Sequence, residues 1–417
     1  MIRFPIYIGD DAIRELLAYV QAQQLHKLAL VADENTYPAL GAQVDQALRA
    51  QGLDLNTIHL HGKNGDNLVA NEETLIQVIS RARRDEQVYL AVGGGTITDV
   101  TRFSSFVAKT PFISLPTAPS VDGFTSLGAP LVINGLKKTL LCQAPLALFA
   151  NLPTLCAAPQ KMLAAGFGDM IGKLNSATDW QLGHVLYDEP YDDSITQRYF
   201  ATALNCAEHA AGIGARDKDA VRVLMESLIE SGFGMLDFGN SNPASGSEHH
   251  ISHFWEMKLL VTGRRALLHG AKVGVASVIT AGWFHQLAAL SREEVASIMA
   301  QTHQPNPMAQ VAGIRAAYGP MADPLIKEQT AFIDMSAPEY ARLKQRIIDR
   351  WEEVRAILQA MPTPTQLAEL LRATGGPTQP AELGLTSDDV VLALNNAHYL
   401  RQRFTVAKLN QLFLQVW

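Results

Sequence analysis

Val88-Tyr89-Leu90-Ala91-Val92-Gly93-Gly94-Gly95-Thr96-Ile97-Thr98-Asp99 decides how this chain folds. An unbroken apolar run of strand length, rich in β-formers, predicts a strand covered on both faces, and it leads straight into three glycines. Glycine there lets the backbone turn tightly and come close to a ligand. The helix that follows opens with free amides and the positive end of its dipole, which favour a phosphate. A purely structural strand-to-helix turn is the plain alternative, since the pattern lacks the GxGxxG spacing of the dinucleotide fingerprint.

The flanking sequence repeats this strand-helix alternation. Residues 12–20 form a short amphipathic helix, 27–33 an apolar strand ending in Asp33, 37–50 a helix, 54–60 a strand, 72–84 a helix and 112–116 another strand. Such alternation predicts parallel strands joined by right-handed helical crossovers, with ligands bound beyond the carboxyl ends of the strands. Asn134-Gly135 signals a hairpin inserted into that scheme. After about residue 155 strand signals fade. Helical periodicity takes over at 160–182, 195–213, 218–232, 247–260, 270–287 and 293–301, while 305–320 and 374–380 read as turn-rich connections. A chain of 417 residues exceeds what one hydrophobic core usually supports. The expectation is an α/β dinucleotide-binding domain with a Rossmann-like parallel sheet at 1–156 and an all-α domain at 157–417.

Composition narrows the function classes. The net charge is −7 with acids and bases well mixed, and no Lys/Arg run provides a nucleic-acid footprint. The most apolar stretch, 140–155, is broken by Gln143, Pro145, Asn151 and Pro153, so no membrane span is expected. Cys142, Cys156 and Cys206 are odd in number and widely spaced, as in a reducing cytoplasm.

Chemistry concentrates further on. Four of the twelve histidines lie between 249 and 269, in Ser247-Glu248-His249-His250-Ile251-Ser252-His253 and at His269-Gly270. On a helix His249 and His253 share a face, whereas His250 points about 100° away. Imidazoles with a carboxylate make a mixed nitrogen/oxygen metal site with positions left open; a polar helix face is the alternative. Asp169, in Gly166-Phe167-Gly168-Asp169-Met170-Ile171-Gly172-Lys173, is a charge among glycine and apolar residues, and a divalent ion would account for it better than a helix cap. Asp33 resembles the acid that receives ribose hydroxyls and disfavours a 2′-phosphate, with an ordinary solvated loop acid as the alternative. The loop Pro116-Thr117-Ala118-Pro119-Ser120-Val121-Asp122-Gly123-Phe124-Thr125-Ser126 reads as a shaped ligand loop, with Asp122 near a nicotinamide or substrate hydroxyl.

Together GGGTITD at 93–99, PTAPSVDGFTS at 116–126, GFGDMIGK at 166–173, ASGSEHHISH at 244–253, HGAKVG at 269–274 and RQRFT at 401–405 resemble the sn-glycerol-1-phosphate dehydrogenase family. That family lies in the superfamily of iron-containing alcohol dehydrogenases, glycerol dehydrogenases and dehydroquinate synthases. The resemblance implies a dehydroquinate-synthase-like fold with its site in the cleft between the two domains. It also implies NAD or NADP and one divalent ion (zinc, nickel or iron). The metal ligands it implies are Asp169, His249 and His269. Cofactor contacts are expected at Asp33, Gly93, Gly94, Gly95, Thr96, Asp99, Thr117, Ser120, Asp122 and Ser126. Asp122, His253 and Lys173 are the expected catalytic-site side chains, His253 relaying a proton or touching substrate. Lys173 is the first candidate to hold a substrate phosphate, followed by Lys137 and Arg265. The implied enzyme interconverts sn-glycerol 1-phosphate and dihydroxyacetone phosphate; composition makes it cytoplasmic, and a homodimer is the default expectation. Two readings stay open beside it, an unphosphorylated polyol dehydrogenase and a dehydroquinate-synthase-like carbocycle lyase. The chain departs from the family pattern at Ala271, where relatives commonly carry glutamate, and at Asn151, where aspartate is frequent.

Overall fold

The computed structural model describes residues 3–62, 68–134 and 136–415. The chain divides into two compact units, Met1–Phe167 with Glu208–Asn240, and Gly168–Ala207 with Ser241–Trp417.

The first unit is built on strands β1 (Ile6–Gly9), β2 (Lys27–Asp33), β3 (Asp54–Leu60), β4 (Val88–Gly93), β5 (Phe112–Pro116) and β8 (Ala147–Asn151). They form a parallel sheet in the order β1-β8-β5-β4-β2-β3. Helices α1 (Ala12–Ala22), α2 (Ala42–Ala50), α3 (Glu72–Arg81) and α4 (Gly95–Val107) supply crossovers. Side-chain alternation along each strand divides the core in two. Leu28, Leu30, Leu90 and Ile113 pack with Leu16, Val20, Val44 and Leu48 of α1 and α2. Ala29, Val31, Tyr89 and Phe112 pack with Val78, Ile97 and Val100 of α3 and α4. Because both faces are covered, the central strands β2 and β4 read as continuous apolar runs. The direction in which successive strands are added reverses between β2 and β4, so Asp33 and Gly93 stand at the carboxyl ends of the two strands flanking the switch point.

The expected hairpin is present as β6 (Gly128–Ile133) and β7 (Leu136–Leu141), paired antiparallel. Asn134 takes the left-handed conformation at φ 52°, which asparagine tolerates; Gly135 lies outside the described residues.

A division after residue 156 follows chain order, and the compact units do not. After α5 (Leu152–Ala157), helix α6 (Gln160–Tyr187) starts in the first unit and ends in the second. The chain continues through α7 (Asp193–Glu208) and α8 (Ala210–Gly214), and α9 (Lys218–Phe238) returns to pack against α5. The second unit is helical, centred on α10 (Ser247–Val261) and α11 (His269–Ala288). One expected connection is instead a helix. Residues Pro307–Tyr318 are α-helical because Pro307 sits in the first turn, where no amide donor is needed, Asn306 caps the Ala309 amide, and Gly319 ends the helix at φ 54°. Among the described residues no single helix is long and apolar enough to cross a membrane.

Candidate metal centre

Three elements of the second unit carry the chemistry. Helix α6 presents Asp169, fully buried. Helix α11 begins at His269, and the two helices approach closely because glycines line the contact. A Cβ on Gly168 would lie 2.3 Å from the Gly270 carbonyl oxygen, and one on Gly172 would lie 2.5 Å from Val273. Helix α10 brings His249 and His253 one turn apart. One donor atom from each of Asp169, His249 and His269 lies within 4.8 Å of the other two, and His249 Nε2 stands 3.7 Å from Asp169 Oδ1. A tetrahedral ion with bonds of about 2.1 Å holds its donors about 3.4 Å apart, so small side-chain movements close the set onto a divalent cation.

The hydrogen bonds around the triad also suit a cation. His249 Nδ1 is 2.6 Å from Glu248 Oε1, so a proton on Nδ1 donated to that carboxylate leaves Nε2 with its lone pair toward Asp169. Glu248 is itself buried, and its Oε1 accepts from the Gly246 amide at 2.9 Å. Asp179 of α6 accepts from the Ser247 amide at 2.7 Å and from the Val406 amide at 2.6 Å, pinning the start of α10. Burial, and then the charge of Glu248, push the Asp179 carboxyl up to about 7. Neither Glu248 nor Asp179 was assigned a role from sequence. The available signals are an acid directly preceding the first histidine and a second acid, ten residues after Asp169, within the long helix 160–182.

The other histidines divide as the helical spacing predicts. His253 is partly exposed, its ring centroid 5.9 Å from that of His249 and 5.4 Å from that of His269. His250 turns inward and is 1% exposed; burial, then the nearby Arg403 charge, hold its imidazole well below its ordinary pKa.

Lys173 is a correction to the expected phosphate anchor. It is fully buried, and its ammonium donates to Asp169 Oδ1 at 3.0 Å and to the Ala244 carbonyl at 3.2 Å. An incoming phosphate would have to strip both acceptors away and leave Asp169 uncompensated. Lys173 therefore orients the Asp169 carboxylate. Of the other two candidates, Arg265 is exposed and Lys137 contributes to the electrostatics of Asp99.

The expected nucleotide residues lie in the first unit. Helix α4 starts at Gly95 with no side chain capping its first turn. A Cβ on Gly93 would lie 2.5 Å from Ile97 and one on Gly95 would lie 2.9 Å from Val121, whereas one on Gly94 would make ordinary contacts at 3.8 Å with Met162 and Ser120. Asp33 Oδ1 accepts the amides of Asn35 and Thr36 at 2.9 and 2.8 Å, so part of its carboxylate shapes the local turn. Thr117 and Ser120 are buried in the 116–126 loop. Asp122 accepts from Ser231 Oγ at 2.8 Å and Thr125 donates to the Ile229 carbonyl at 3.1 Å, fastening that loop to α9. Ser126 faces the Gly123 and Gly128 carbonyls at 3.3 and 3.4 Å. The organiser missed from sequence is Arg102, fully buried, which donates to the Gly123, Phe124 and Gly128 carbonyls and pairs with Asp99 at 3.1 Å. Burial nevertheless pushes the Asp99 carboxyl up to about 7, against the opposing charge of Arg102. Thr96 follows Gly95 in the first turn of α4. Asn151 caps α5 through the Thr154 amide at 3.1 Å, and Ala271 is an ordinary buried position.

Comparison with known proteins identifies the family and the fold. Residues 7–159 match the family model for iron-containing alcohol dehydrogenase. The chain is 36% identical to a glycerol-1-phosphate dehydrogenase [NAD(P)+] of Geobacillus stearothermophilus, covering 96% of this chain and 90% of that one. It is 37% identical to the protein of the same name from Halalkalibacterium halodurans, over 96% and 90%. An alcohol dehydrogenase from Oenococcus oeni shares the fold at a TM-score of 0.62 and 13% identity, over 99% of this chain and 98% of that one. A glycerol dehydrogenase from Schizosaccharomyces pombe does so at 0.55 and 18%, over 92% and 93%. Near-complete coverage at this identity, together with the carboxylate and two imidazoles gathered at one point, means that the chain belongs to the glycerol-1-phosphate dehydrogenase family of the iron-containing alcohol dehydrogenase superfamily.

Proposed function

We propose that this protein is a metal-dependent, NAD(P)-linked dehydrogenase that interconverts sn-glycerol 1-phosphate and dihydroxyacetone phosphate. What carries the reading is the convergence of Asp169, His249 and His269 in a chain whose relatives bear that activity in their names. Asp169, His249 and His269 would hold a divalent cation, which when bound supplies Lewis-acid polarisation at a substrate oxygen. The nicotinamide supplies the hydride chemistry.

The residues do the rest. Glu248 fixes the His249 tautomer, so that ring offers its lone pair with no proton to remove first. Lys173 balances the buried Asp169 charge and sets its direction. His253, partly exposed beside the triad, is placed to carry a proton between solvent and substrate oxygen. In the first unit the uncapped α4 start suits a pyrophosphate, and Asp33 would disfavour a 2′-phosphate. The same reading makes the enzyme cytoplasmic and homodimeric.

An NADH-oxidation assay on chelated protein, with metals returned singly, tests the reaction. Turnover of dihydroxyacetone phosphate far above that of dihydroxyacetone is expected. Equal turnover of the two would make the enzyme a polyol dehydrogenase, and no net NADH loss with either would remove the dehydrogenase reading.

A further inference from the structure

A second trio of metal-ligating side chains adjoins the first. Donor atoms of His253, Glu256 and His269 also lie within 4.8 Å of one another, and all three residues are partly exposed. His253 and Glu256 stand on one face of α10 at a spacing of three, so both side chains turn toward the start of α11, where His269 belongs to both trios. The build of the two trios is the same. Each has two imidazoles and one carboxylate, and each carboxylate is paired with a fully buried lysine, Asp169 with Lys173 at 3.0 Å and Glu256 with Lys272 at 3.0 Å. A carboxylate has lone pairs enough for a lysine and a cation together. The ring centroids of His249, His253 and His269 form a triangle with sides of 5.1, 5.4 and 5.9 Å. That spacing brings two cation positions close together around His269. The trios differ in access: Asp169 and His249 are buried, whereas the His253 trio is open to solvent.

The geometry points to a second divalent-cation position at His253, Glu256 and His269, filled at excess metal and inhibitory when filled. The inhibition follows from what the second ion takes. It occupies the His253 imidazole that the reaction uses for proton transfer, and with both ions bound His269 becomes a bridging imidazolate, its ring proton released to solvent. Adding metal beyond one equivalent therefore turns activity down. The inhibitory half of this inference rests on the function proposed above; the site itself does not.

The test is a titration of chelated, full-length protein with Co²⁺ and separately with Zn²⁺, following ion stoichiometry, the Co²⁺ absorption spectrum and NADH-linked turnover. Wild type is expected to bind in two phases, with turnover rising over the first equivalent and falling over the second. Glu256→Gln should weaken the second phase by about tenfold or more, leaving the first intact. Glu256→Gln combined with Lys272→Met removes the buried lysine along with its partner, so a loss of second-phase binding in the folded double variant is attributable to the ligand. A single equivalent in wild type overturns the site, as does a second phase of unchanged affinity in the variants. A second ion that leaves turnover untouched overturns the inhibitory role. If the first equivalent binds but restores no reduction of dihydroxyacetone phosphate, the assigned reaction fails, while the ion count still decides the site.

Discussion

Replacing Glu248 by glutamine isolates what one buried carboxylate does for metal affinity. In the wild type a single oxygen, Glu248 Oε1, accepts from both the His249 ring at 2.6 Å and the Gly246 amide at 2.9 Å. The glutamine carbonyl oxygen can keep both bonds, and its NH2 group then takes the position of Oε2. A Cβ on Gly246 would lie 2.7 Å from both Glu248 Oε2 and Asp179 Oδ2, so the two carboxylates crowd the same point. An amide donor there replaces repulsion with a hydrogen bond, so Glu248→Gln should fold and melt no lower than wild type. What it loses is the negative charge behind the His249 ring, which favours a cation on the ring's other nitrogen. Removing such a partner costs about 10–100-fold in metal affinity, which is about 1.4–2.7 kcal/mol. Competition of Zn²⁺ between the protein and a chelator measures this directly, with a melting curve of the metal-free protein alongside. Wild-type zinc affinity in Glu248→Gln would refute the argument that the carboxylate tunes the ligand. A fall in affinity accompanied by a lower melting temperature would mean that the buried amide is not satisfied.

Gly168→Ala places a methyl against the Gly270 carbonyl and should separate α6 from α11, costing about 1–3 kcal/mol of stability and metal affinity with it; chemical denaturation and zinc competition read the two losses. Lys173→Met leaves Asp169 buried without its cation, a loss of about 3–5 kcal/mol in metal-free protein, and Zn²⁺ should restore much of it; a melting temperature insensitive to both changes would contradict the orienting role given to Lys173. His398, buried, has its pKa lowered to about 3, chiefly by burial and then by Lys408. A depressed folded value means that its neutral form stabilises the fold fully above the unfolded value of about 6.5, and that this stability drains away as pH falls toward 3. His398→Asn should therefore flatten the loss of stability between pH 6.5 and 3, measured by urea denaturation across that range. Asp99 has the opposite sign. Raised to about 7 by burial, it contributes most below its unfolded value and loses that contribution as pH rises through 7, so Asp99→Asn should flatten the stability profile between about pH 4 and 7.

Much of the fold was legible because local periodicity records which faces are covered. The run 88–92 had to be a strand buried on both sides, and the glycines after it had to turn; β4, β5 and the crossover helices follow from that. Residues 305–320 misled because proline and glycine mark both loops and helix ends, and only the Asn306 cap and the position of Pro307 in the first turn distinguish the two.

At the site the sequence by itself determined the kinds of donor available: an acid set in an apolar helix, and histidines one turn apart on another. Tertiary structure decided what each one meets. That the Ala244 carbonyl takes up the Lys173 ammonium beside Asp169, that Arg102 gathers the 123–128 carbonyls, and that His269 stands between two trios depend on which distant segment lies opposite. Periodicity specifies the direction in which a side chain leaves its own helix. The partner it reaches is set by the close approach of distant segments, here permitted by Gly168 against Gly270, and no local pattern encodes that contact.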